Sequence, residues 1–262
     1  MKPSSISATL LSRMWANTVE FYRVFARCSR HGWVVERDGV VMLSTGIPAP
    51  DFNLAYLLPS PRDPARAVAV AVEHFAPSGL PWTLMALEPH DSTAVDAVAA
   101  AAGLRRNHPW PGMVLTPESG HPPTAPANLS ISTVESETTW HTFLTTLAHG
   151  YGVPAHLLEL IDTPAWLTMP DLTPYLAWLD GQPVGTAMRF FSHGIGGIQA
   201  VSTLPEQRGK GIGAALTWHA AHDTQGMHQI ASALQSSALG FNVYQRIGYR
   251  HVLDAPTWTP VG

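Results

Sequence analysis

Three glycines occupy every second position in Arg208-Gly209-Lys210-Gly211-Ile212-Gly213, between the largely apolar run 195–202 and the apolar stretch Ala214-Ala215-Leu216. The pattern reads as a strand, a tight loop and the first turn of a helix. A helix start leaves backbone N–H groups without intrahelical acceptors and carries a partial positive charge, so it binds phosphate. Glycines there let the backbone approach a pyrophosphate with no Cβ in between, and Arg208 and Lys210 add positive charge nearby. Two common phosphate cradles do not fit. A Walker loop needs a Lys-Ser/Thr pair closing a longer loop, which is absent here. A dinucleotide fingerprint spaces its glycines G-x-G-x-x-G early in its domain, with an acid about 20 residues on. Here the spacing is G-x-G-x-G and it comes late.

The same residues resemble the pyrophosphate loop of the GNAT superfamily of acyl-CoA-dependent acetyltransferases, written Q/R-x-x-G-x-G/A. The preceding Ala200-Val201-Ser202-Thr203-Leu204-Pro205 resembles that family's fourth strand and its exit. Ser237, Gly240, Tyr244, Gly248 and Tyr249 resemble its second motif, N/S…A/G…Y…G-F/Y, at the matching offset. The resemblance covers about residues 127–262. It implies an α/β (α+β) fold with a mixed, mostly antiparallel sheet whose fourth and fifth strands splay apart. It also implies acetyl-CoA as acyl-donor co-substrate and no metal. By the same resemblance the backbone near Val201, Ser202 and Thr203 receives pantetheine, and an N–H around Val201 polarises the thioester carbonyl. The segment Gln207, Arg208, Gly209, Lys210, Gly211, Ile212 and Gly213 receives the pyrophosphate. Ser237 meets pantetheine or ordered water, and Tyr244 is the general acid for the CoA thiolate.

The general base is not assigned by this reading. Relatives place a Glu on the fourth strand, where this chain has Gln199, which accepts no proton. His149, Glu159, Asp162 and Asp171 are the alternatives, or a water-mediated path, or an amine that needs no strong base. His219 and His222 are spaced i, i+3 but have no third metal ligand at useful spacing. Trp140, Trp166 and Trp178 are core residues by default and acceptor-pocket walls otherwise.

The elements around these residues follow from periodicity. Leu11, Trp15, Val19, Tyr22 and Phe25 share one helical face. Arg37-Asp38-Gly39 and Asp180-Gly181 read as hairpin turns. Asp63-Pro64 starts a helix running to Phe75, Trp82–Leu87 reads as a strand, and Ser92–Ala102 reads as a helix ending at Gly103. Met113–Leu115 is expected to close the first half as a strand. The Pro-rich run 117–126 reads as a linker, giving domains 1–120, a degenerate GNAT-like α/β half, and 127–262, the catalytic half. Past it come a strand at Ser130–Val134, a helix at Glu137–His149 and a mobile-looking segment 151–174. Strands at Tyr175–Leu179, Val184–Phe191 and Ile195–Ser202 follow, with Gly196 and Gly197 marking a bulge or a close approach. A helix at Gly211–Gln225, a strand at Gln229–Leu234, a helix at Leu239–Ile247 and a mostly strand segment Tyr249–Trp258 complete the chain.

Composition narrows the partners. Charged residues are 13% of the chain and the net charge is −4, so no basic field draws in a nucleic acid or an anionic bilayer. Apolar content of 45% can build a core. Cys28, the one cysteine, removes internal disulfides and Cys-rich metal sites. The sequence carries no signal-peptide layout and no run of about 20 apolar residues, so a soluble, cytoplasmic protein is expected, as monomer or homodimer. The expected acceptor is a primary amine of a small molecule. A protein N-terminus or lysine is the alternative within the same chemistry, and a catalytically inactive acyl-CoA sensor is the alternative outside it.

Overall fold

The computed structural model describes residues 7–59, 63–86, 92–224 and 228–261. In chain order the elements are α1 (Ala8–Cys28), β1 (Trp33–Arg37), β2 (Val40–Ser44), β3 (Asn53–Leu57), α2 (Pro64–Phe75), β4 (Thr83–Ala86), α3 (Ser92–Ala101), β5 (Leu104–Arg106) and β6 (Trp110–Leu115). They continue as β7 (Leu129–Thr133), α4 (Glu137–Tyr151), β8 (Leu172–Leu179), β9 (Gln182–Ser192), β10 (Ile195–Thr203), α5 (Ile212–His222), β11 (Ala231–Gln235), α6 (Phe241–Arg246), β12 (Arg250–Ala255) and β13 (Thr257–Pro260). Leu87 and Gln225, the expected ends of a strand and a helix, lie outside the described residues, as do residues 1–6. No helix among the described residues is long and apolar enough to cross a membrane.

Local chemistry explains most of these boundaries. Trp15, Val19, Tyr22 and Phe25 of α1 are buried, as their shared face requires. The turns at Asp38-Gly39 and Asp180-Gly181 put both residues at positive φ, 51° and 80° in the first and 52° and 76° in the second. Two left-handed residues match the twist of an antiparallel pair. Ser136 caps α4 in a reciprocal box with Thr139.

Two sheets result, each with its own core. The first has six strands in the order β1-β2-β3-β4-β13-β5, and the second has seven, β12-β6-β11-β10-β9-β8-β7. Phe75, Trp82 and Trp258 sit in the core of the first, and Tyr175, Ile198, Leu216 and Tyr249 in that of the second. Both sheets run as antiparallel strands up to one parallel pair, β3 with β4 and β10 with β11. In each, the strand after that pair is antiparallel and comes from the far part of the sequence. β13 pairs with β4 and β5, and β6 pairs with β11.

This exchange moves the boundary expected at the linker. One unit comprises residues through Phe21 with Pro111–Leu253, and the other Tyr22–Trp110 with the segment from Asp254. Met113–Leu115 therefore completes the second sheet and does not close the first. The run Tyr249–Trp258 splits at Pro256 into strands of different sheets. The segment 151–174 is also more ordered than its prolines suggest. It forms 3-10 helices at Ala155–Ile161 and Pro164–Thr168, which bury Leu158, Ile161 and Trp166.

Candidate active site

The parting of two strands creates the site. β10 runs to Thr203 but pairs with β11 only from Ile195 to Gly197, opposite Ala231 to Ala233. Beyond Gly197 the two strands separate. On its other edge β10 pairs with β9 through Gln199, skips Ala200 and Val201, and resumes at Ser202. Ala200 adopts φ 51°, the left-handed region, so the skip is a β-bulge. The bulge inverts which residues face which side. Ile198 packs in the core beside Ile212 and Leu216 of α5, whereas Ser202, on the same parity, meets Gly150 of α4. Thr186 Oγ1 donates to the Ala200 carbonyl at 2.8 Å and lies 2.8 Å from Ser202 Oγ. The Ser202 hydroxyl is thus spent on holding the bulge.

The glycine loop follows. Gln207 and Arg208 give their N–H groups to the carbonyls of Leu204 and Pro205. Gly209 and Gly211 then take φ 79° and 82°, which a side chain would resist. Gly211 starts α5 with no side-chain cap. The first intrahelical bond is Ala215 N–H to the Gly211 carbonyl, 3.0 Å, so the N–H groups of Ile212, Gly213 and Ala214 precede the ladder. All three residues line a cleft of about 1010 Å³. Arg208 braces the loop, Nη2 donating to the Gly150 carbonyl at 2.8 Å and Nε to the Thr203 carbonyl at 3.3 Å. Lys210 Nζ donates to Gln207 Oε1 at 2.7 Å.

Every residue expected at the cofactor and catalytic site borders this one cleft: Val201, Ser202, Thr203, Gln207 through Gly213, Ser237 and Tyr244. Tyr244 is buried, and burial pushes its phenol up to about 12. A Cβ on Gly240 would fall 2.6 Å from the Tyr244 ring, so that glycine makes room for it. Ser237 has a second task the sequence did not reveal, since its Oγ accepts from Gly240 N–H at 3.2 Å just before α6.

Residues 170–251 match the family model described as Acetyltransferase (GNAT) domain. This segment is similar to a GNAT domain. The matched residues run from just before β8 into β12 and hold most of the cleft's lining. Solved structures agree on the fold across the chain's length. A GCN5-related N-acetyltransferase from Kribbella flavida is 20% identical, with 99% of this chain and 97% of that one covered at a TM-score of 0.73. One from Sphaerobacter thermophilus is 17% identical, with 85% and 80% covered and a TM-score of 0.57. A tandem GNAT protein from the clavulanic acid biosynthesis pathway is 18% identical, with 87% and 81% covered and a TM-score of 0.56. No curated protein matches by sequence.

Other residues singled out in the sequence lie away from the cleft. His149, Glu159, Asp162 and Asp171 do not line it, and Asp162 instead faces His141 at 3.5 Å. His219 packs edge-on against Tyr175, while His222 stacks on Trp218 and donates to its carbonyl at 2.9 Å. Trp140 stacks between Phe143 and Trp166, and Trp178 donates to Ser132 Oγ at 3.0 Å.

Sequence reasoning missed one whole wall of the cleft. His121, Pro122, Pro123 and Thr124, which read as linker in the sequence, border it together with Tyr151, Leu239 and Arg246. Close backbone contacts hold this strap. A Cβ on Gly211 would lie 2.4 Å from the Thr124 carbonyl oxygen, and one on Gly248 would lie 2.3 Å from Gly120 Cα. No periodicity marks such a strap. The only available signal was glycine on both sides of the contact.

Proposed function

We propose that the chain transfers the acetyl group of acetyl-CoA to a primary amine of a small molecule by direct attack. The observation that carries this reading is convergence. The bulged end of β10, the uncapped start of α5 and the Tyr244 phenol border a single cleft. The cradle suits a pyrophosphate, because a Cβ at Gly211 would strike the Thr124 carbonyl and one at Gly213 would come 3.3 Å from Thr203 Oγ1. As donor substrate, acetyl-CoA supplies an activated thioester.

The residues then have distinct tasks. The N–H groups at the start of α5 hold the pyrophosphate, and the edge of β10 past Gly197 accepts pantetheine as an added strand. The Val201 N–H, outside the paired register, polarises the thioester carbonyl, whose oxygen gains charge as the amine nitrogen bonds to its carbon. As the C–S bond breaks, the thiolate takes the phenol proton of Tyr244, and the new amide nitrogen releases its extra proton to water. Burial keeps that phenol protonated at neutral pH, so the donor is always loaded. No carboxylate stands among the described residues that line the cleft, so the amine enters in its neutral form.

The test is calorimetric titration with acetyl-CoA, followed by thiol-release assays on small amines and on peptides. One-site binding with turnover on small amines is expected. Tyr244→Phe is expected to lower kcat by about 10²-fold while acetyl-CoA affinity persists. A wild-type rate in that variant would remove the acid role, turnover on peptides alone would move the acceptor to proteins, and binding with no turnover would leave a sensor.

A further inference from the structure

The cleft carries two cationic or donor side chains that the proposed chemistry leaves unused. Arg208 and Lys210, the charges of the glycine loop, are engaged with carbonyls and with Gln207. His121 and Arg246 also line the cleft, and neither has a hydrogen-bond or ion-pair partner among the described residues. They come from distant parts of the chain but emerge side by side. A Cβ on Gly120 would lie 2.4 Å from the Ile247 carbonyl oxygen, so the backbones next to His121 and next to Arg246 touch. Both side chains are exposed, as rim residues are.

The strap's composition makes this pairing specific. Pro122 and Pro123 have no N–H, so between Gly120 and Thr124 the side-chain donor is the His121 imidazole. Arg246 offers a planar, permanently charged fork suited to phosphate oxygens. The backbone of the strap is held on both sides of His121, at Gly120–Gly248 and at Thr124–Gly211, so the residue that carries the imidazole stays at the rim of the cleft.

We propose that His121 and Arg246 bind the phosphomonoester on the ribose of coenzyme A, and so select the complete nucleotide over donors that lack it. The assignment rests on the acyl-CoA reading of the cleft. Coenzyme A has two anionic centres. The N–H groups at the start of α5 suit its pyrophosphate, and the second centre, the 3′-phosphate, needs donors elsewhere along the rim. His121 and Arg246 are the unpaired donors there.

Calorimetry on the full chain with coenzyme A and with 3′-dephospho-coenzyme A tests this without knowing the acceptor. Wild-type protein is expected to bind coenzyme A roughly tenfold or more tighter, the scale of one charge-assisted contact. In His121→Ala/Arg246→Gln the two ligands converge to within about twofold, because the affinity for coenzyme A falls to that for the dephospho form. Retained binding of dephospho-coenzyme A shows that the variant is folded. Equal wild-type affinities, or a preference that survives in the double variant, overturn the proposal while leaving the acyl-CoA reading intact. Binding of neither ligand by the wild type removes both.

Discussion

Two helices in this chain follow a strand that runs parallel to its neighbour, and they begin in opposite ways. α2, after β3, opens on Asp63, whose carboxylate accepts from Arg66 N–H at 3.0 Å, with Pro64 at the first position. α5, after β10, opens on Gly211 with no side-chain cap. The strands before them differ in step. β3 stays paired with β4 from Leu54 to Leu57, whereas β10 leaves β11 after Gly197. At equivalent places in two sheets of like order, one helix start is satisfied by its own acid and has no wedge before it. The other is left unsatisfied beside a wedge. In the function proposed above the anion site is made by omitting a cap, and the first unit shows what the omission replaces.

The largest effect expected from this contrast comes from giving α5 a side chain where it has none. Gly211→Val forces a β-branched residue to φ 82° and drives its Cβ onto the Thr124 carbonyl. Acetyl-CoA affinity is expected to fall on the order of 100-fold, given strain and displacement of about 3 kcal/mol. Asp63→Gly, the reverse exchange at α2, is expected to leave that affinity unchanged by calorimetry. Comparable losses in both variants would erase the distinction between the two helix starts.

A middle-sized effect concerns pH. With its phenol near 12 in the folded protein against about 10 in the unfolded chain, Tyr244 favours folding in its protonated form. That contribution is complete below pH 10 and is lost as pH rises through 12. The Tyr244-dependent part of kcat should therefore show no alkaline decline below pH 10. A decline centred near pH 8.5 that vanished in Tyr244→Phe would contradict the buried phenol. Above pH 10, urea melts should show wild type losing stability faster than Tyr244→Phe. The smallest effect is the cap itself. Asp63→Ala is expected to cost about 1 kcal/mol in urea unfolding, with coenzyme A binding unaltered.

The glycine loop was legible because Gly209 and Gly211 stand where only a left-handed backbone serves, a requirement written in residue type. The hairpin turns were legible for the same reason. Gly196 and Gly197 announced a close approach, and the partners are the amides of Gln229 and Asn17, at 2.2 and 2.1 Å from where a Cβ would be. The bulge itself lies three residues on, at Ala200, where no glycine flags the positive φ. Long-range pairing was the main blind spot. Met113–Leu115 has the alternation of a strand but nothing that says which sheet it joins, and the three residues of β5 are too few to show a period. The strap 120–124 reads as a linker because proline and glycine mark punctuation there and equally suit a wall pinned by backbone contacts. The absence of a strand-four carboxylate was plain at Gln199, and none of the four substitutes considered reaches the cleft.

The crossed strands also impose an order on synthesis. β13 lies between β4 and β5 in the first sheet, yet it is made after every strand of the second. A nascent chain usually finishes its N-terminal domain first, but here the leading sheet must wait with the facing edges of β4 and β5 unsatisfied. The second sheet, which needs only β6 from upstream, has all its strands earlier. The part made first is therefore completed last, and a ribosome that stalls before Thr257 releases a chain with an open edge in the first sheet, the kind of surface that recruits a strand from another molecule.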